Sequence, residues 1–154
     1  MKTSLAGLQL AGALLLGGCA AADSIRESVA QDHAPHVRVF AAEPRATYAA
    51  AHAALEPMGF RFVHGGPAEG QLDALSAVMP GEAGENARQV SLHAEFHAAE
   101  GGTEVKLTLK EIIEDDSARL GMATTTRLRD TPLYEVFFHA IQANLTAPPQ
   151  EGPR

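Results

Sequence analysis

Between residues 87 and 113, apolar and polar positions alternate with little interruption. Val90, Leu92, Ala94 and Phe96 fall on one side of an extended chain, and Ser91, His93, Glu95 and His97 on the other. After the turn sequence Glu100-Gly101-Gly102, Val105, Leu107 and Leu109 alternate with Glu104, Lys106, Thr108 and Lys110. Successive strand side chains point to opposite faces, so this pattern predicts two long antiparallel strands in a hairpin, apolar on one face and polar on the other. Shorter runs predict strands at 36–41, 60–64 and 71–79. In the first, Val37 and Val39 share one face and Arg38 and Phe40 the other. A less regular stretch, 118–128, is expected to add one more. Gly65-Gly66-Pro67 and residues 80–85 read as a turn and a loop.

Helical spacing takes over twice. Pro44 opens an alanine-rich segment in which Tyr48, Ala51, Leu55 and Met58 recur every three or four residues. Pro57 ends that helix early or distorts its last turn, and Gly59 is a stop signal. Thr131-Pro132 opens a second helix, with Asp130 or Thr131 as N-cap, running to Leu145. Leu133, Tyr134, Phe137, Phe138, Ile141 and Leu145 make its apolar face the richest in the chain. The order strand, helix, several strands, helix predicts an α+β domain over 36–145. It is expected to be an antiparallel sheet of about five strands with two helices packed on one face.

The N-terminus follows another logic. Lys2 gives a short positive start, Leu5 to Leu16 is an apolar run, and Gly17-Gly18 precede Cys19. That is the layout of an export signal, shorter than the roughly 20 apolar residues of a membrane span. Cys19 is the one cysteine of 154 residues, so no intramolecular disulfide forms, and a lone cysteine in an exported chain requires a reason. Leu16-Gly17-Gly18-Cys19 resembles the bacterial lipobox. The resemblance implies cleavage after Gly18 and lipidation of Cys19, with 1–18 as signal peptide. Several acyl chains together anchor stably where one does not. Ala20, where a retention signal would have Asp, favours the outer membrane facing the periplasm. Residues 19–35 are polar and small and read as a lipidated tether, and 146–154, with Pro148-Pro149, as a disordered tail.

Composition narrows the function. The formal net charge is −7, with 12 dispersed basic residues against 19 acidic ones, which excludes the clustered positive footprint of a nucleic-acid binder. Aromatic residues are only 5% and alanine fills much of the apolar quota, so a thin core and modest stability are expected.

Candidate chemistry concentrates in His93-Ala94-Glu95-Phe96-His97. Histidine and carboxylate are zinc or copper ligands, and His64 is a further donor. On a strand, however, His93 and His97 stand about 13 Å apart along the chain, too far for both to grip one ion. Pairing of Glu95 with a lysine across the hairpin is the simpler expectation. His52 is expected in the helix packing, and His139 on the wetter side of the second helix. Glu111, Glu114, Asp115 and Asp116 form an acidic cluster without calcium-loop spacing. There is no G-x-S-x-G elbow and no phosphate loop; a Ser76 or Ser91 meeting a His and an Asp is not readable from sequence. No catalytic residue and no cofactor is expected. The surplus apolar width of the second helix, including Val136, could line a groove for a small ligand or lipid.

Phe40-Ala41-Ala42-Glu43-Pro44, Tyr48-Ala49-Ala50, Leu55, Gly59-Phe60 and 128–138 resemble uncharacterised proteobacterial lipoproteins. These are similar in architecture to the helix-grip domain of the accessory lipoprotein of the β-barrel assembly machinery. The resemblance implies a non-catalytic interaction or accessory module in the envelope, held to the membrane by its lipid, with an envelope protein as partner. A small-ligand or lipid carrier and an envelope metal-binding protein are the alternatives.

Overall fold

A computed structural model describes residues 34–81, 86–114 and 123–147. The expected signal peptide, Cys19, the expected tether as far as His33, residues 82–85, Asp115, Asp116 and the expected tail from Pro148 lie outside the described residues. So does the first half of the expected 118–128 strand. The elements all belong to the unit Pro35–Arg154.

Their order is β1 (His36–Phe40), α1 (Pro44–Leu55), a 3-10 turn (Glu56–Met58), β2 (Phe60–Gly66), β3 (Gln71–Ser76), β4 (Ala87–Ala99), β5 (Gly102–Glu114), β6 (Ala123–Arg127) and α2 (Leu133–Thr146). The architecture is α+β: a six-stranded antiparallel sheet and two helices on one face. The strand order is β1-β5-β4-β3-β2, with β6 also paired to β5. β1 takes the Thr103–Leu107 stretch of that edge and β6 the Lys110–Glu114 stretch, so two strands lie end to end along one partner.

The β4–β5 hairpin is where the alternation places it, with Val90 opposite Glu111 and Phe96 opposite Val105. Leu72, Ala74, Leu92, Ala94, Val105, Leu107 and Leu109 are buried beneath the helices. α1 contributes Tyr48, Ala50, Ala51, Ala54 and Leu55, and α2 contributes Tyr134, Phe137, Phe138 and Ile141. Alanines on α1 bring its backbone close to its neighbour, where Asn144 Nδ2 donates to Ala50 O at 2.9 Å. Burial of this apolar area drives the packing at about 25 cal/mol per Å².

Local chemistry sets the boundaries. α1 stops at Leu55 because Pro57 removes a backbone donor. The chain tightens into the 3-10 turn, and Gly59 closes it in the left-handed region at φ 77°. β3 is shorter than the 71–79 expectation, ending at Ser76, with Met79 returning as a single bridge to Arg88. α2 begins at Leu133 behind Pro132, which holds the N-cap position in helical conformation with no side-chain cap. Neither Asp130 nor Thr131 is therefore the cap; Thr131 Oγ1 accepts from Leu133 N at 3.4 Å just ahead of the helix. Gly102, at φ 146°, leaves room for the Phe40 carbonyl where any Cβ would collide.

β1 shows an inversion of the usual hydrophobic rule. Val37 and Val39 face away from the helices and are half exposed, whereas Arg38 and Phe40 face them. Arg38 is accommodated because its guanidinium reaches Glu135 Oε2 at 2.7 Å and lies 4.7 Å over the Phe138 ring.

Candidate functional site

The helices cover one face of the sheet and leave the other, polar face open. Register alone dictates what gathers there. Gln71 pairs with Glu95, Asp73 with His93 and Leu75 with Ser91. On the other side Lys110 pairs with Ser91, Thr108 with His93, Lys106 with Glu95 and Glu104 with His97. On β2, a register shift between Phe62 and His64 sets His64 opposite Asp73. A bulge re-aims side chains in this way.

These positions form a chain of titratable groups. His93 Nδ1 lies 2.7 Å from Asp73 Oδ1, and His93 Nε2 lies 3.4 Å from Glu95 Oε1. His97 Nε2 lies 3.3 Å from Glu95 Oε2. His64 Nδ1 stands 3.9 Å from Asp73 Oδ2. Hydrogen bonds from His97 and then His93 hold the Glu95 carboxyl below the usual carboxylate range, against a smaller opposing effect of burial.

Two expectations change here, for Glu95 and for His52. Glu95 is not held by a lysine: Lys106 turns to Glu104, at 3.3 Å, and the two histidines of its own strand take Glu95 instead. His93, Glu95 and His97 touch in series, yet among the described residues no three metal-binding side chains converge on one ion position. His93 and His97 approach different oxygens of Glu95 rather than a shared point. His52 is exposed rather than packed in the core, its ring tilted against that of Phe62 with centroids 5.1 Å apart.

Asp73 and His93 have the carboxylate-to-Nδ1 contact of a hydrolytic dyad, but the nucleophile is not in place. Nε2 faces Glu95, while Ser91 Oγ donates to Lys110 O at 3.4 Å and Ser76 Oγ accepts from Val90 N. Glu111 pairs with Arg88 at 3.6 Å on the helix side, away from this network. His139 is exposed on α2.

A shallow concavity of about 420 Å³ adjoins the network, lined by Asp73, Leu75, Ser91, His93, Thr108 and Lys110 among others. Another, about 390 Å³, opens between the end of α1 and β2 around His52, Leu55, Phe60 and Phe62. The space between α2 and the sheet is filled by fully buried Tyr134, Phe137, Phe138 and Ile141; Val136 points outward, half exposed. No described helix is long and apolar enough to cross a membrane.

Sequence reasoning missed Asp73 as a member of the site. Its strand alternates weakly, and only the β3–β4 register brings it opposite His93, twenty residues away. Comparison with known families, characterised proteins and solved structures returns no match for this chain.

Proposed function

We propose that this protein is a membrane-anchored envelope lipoprotein whose domain is a non-catalytic interaction or accessory module, held by a lipid on Cys19 and facing the periplasm from the outer membrane. The observation that carries the reading is Leu16-Gly17-Gly18-Cys19, with the chain's one cysteine behind an apolar export-type leader. The open sheet face adds support: it offers polar and ionic side chains over a broad surface, and its Asp–His pair lacks an aligned nucleophile. Such a face suits reversible contact with another protein, where steering and specificity come from charged groups.

Mass spectrometry of the Cys19 peptide, with membrane fractionation of wild type and Cys19→Ser, tests this. An acylated peptide, and loss of the variant from the membrane fraction, is the expected result. An unmodified Cys19 in the mature chain overturns it. Affinity capture of the acylated protein from its own envelope then tests the module: a reproducible envelope partner is expected, and capture of none counts against it.

A further inference from the structure

One arrangement on the open face depends on a proton. His93 sits between two carboxylates, Asp73 at Nδ1 and Glu95 at Nε2, at 2.7 and 3.4 Å. An ionised carboxylate only accepts, so each contact is a hydrogen bond only when the ring nitrogen facing it carries hydrogen. Neutral imidazole has one N–H. At 2.7 Å that hydrogen belongs on Nδ1, since a lone pair there would face an anionic oxygen at close range. Nε2 then turns its own lone pair toward Glu95. Imidazolium donates at both ends. We propose that Asp73–His93–Glu95 is a proton-operated link on the open sheet face. His93 bonds Asp73 of β3 in either state, and closes on Glu95 only after taking up a proton.

The surrounding charges are few. β2 presents Arg61 and His64, β3 Asp73, β4 His97, β5 Glu104, Lys106 and Lys110, and β6 Arg127. Lysine and arginine do not titrate where histidine does, between about pH 5 and 8. His97 needs no second proton, because its one contact, Nε2 to Glu95 Oε2 at 3.3 Å, is satisfied by the Nε2–H tautomer of the neutral ring. His64 is too far from Asp73 for a hydrogen bond, at 3.9 Å, and is 70% exposed. His93 is therefore the member whose bonding pattern changes. Glu95 stays ionised through that change because its carboxyl is held below the usual range.

The signs follow. A link that needs protonated histidine stabilises the fold below the histidine range and is lost as pH rises through it. A carboxylate with a depressed folded value contributes above the usual carboxylate range and is lost as pH falls through the depressed value. The link is thus closed in a mildly acidic window.

Imidazole nitrogen NMR on the full chain reads the link directly. His93 is expected in the Nδ1–H form at pH 8 and doubly protonated at pH 5.5. An Nε2–H form at pH 8 overturns the proposal. Thermal unfolding supplies the second readout. The Tm advantage of wild type over Glu95→Gln is expected to grow by about 2–4 °C from pH 8 to 5.5. The glutamine amide can bond the bare nitrogen and flattens the dependence. His64→Gln is expected to keep the wild-type profile. Parallel profiles for wild type and Glu95→Gln overturn the link.

Discussion

The phenolic oxygen of Tyr134 holds two strands in line. It accepts from Leu109 N at 3.1 Å and donates to Leu128 O at 2.6 Å, at the point on the β5 edge where β1 has ended and β6 has not yet begun. The ring is itself stacked on His36 at 3.6 Å, and His36 Nε2 lies 3.0 Å from Arg129 O. Tyr134→Phe keeps the packing and removes both bonds, leaving buried backbone groups without partners. The expected cost is about 1–3 kcal/mol, read as a lower urea midpoint with an unchanged slope. A midpoint equal to wild type would mean that water takes the hydroxyl's place.

At the scale of elements, α2 divides sharply between residues that hold the fold and residues that do not. Phe137 is fully buried against the sheet, while Val136, its neighbour, is half exposed. Phe137→Ala is expected to destabilise by about 3–5 kcal/mol, and Val136→Ser to stay within about 0.5 kcal/mol of wild type, both measured by denaturant unfolding. The buried face of Tyr134, Phe137, Phe138 and Ile141 was legible from helical spacing, and the β4–β5 hairpin from strand alternation, whereas Val136 was expected to widen that face toward a groove and instead points outward. Less legible was whatever depends on partners far along the chain. β1 presents two valines and an arginine, and local rules would bury the valines; the choice goes the other way because Glu135 and Phe138 receive Arg38 from 97 and 100 residues away. The titratable network divides in the same manner. The wide separation of His93 and His97 along β4 followed from strand rise alone. That Asp73 joins them depended on the β3–β4 register, which the weak pattern of 71–79 did not reveal.

For the whole molecule, the sheet is anchored at its centre and open at its margins. β4 and β5 run thirteen residues each and pair along their full length, whereas β6 has five residues with no buried side chain. Amide hydrogen exchange is expected to be slowest at Leu92, Ala94, Leu107 and Leu109 and fastest in β6 and the outer edge of β2. Equal protection across the sheet would contradict this gradient. The end-to-end placement of β1 and β6 also bears on how the fold is reached. β1 opens the domain, its β5 partner begins more than sixty residues later at Gly102, and the tyrosine that seals the seam follows later still in α2. The β1–β5 pairing therefore joins distant stretches of chain, whereas β2 to β6 pair in sequence order, and closing that long loop is slower than local pairing. A nascent chain can form the β4–β5 hairpin early, but the edge of β5 stays unsealed until residue 134 is available. The domain thus has a built-in order of completion, with its first strand among the last to be secured.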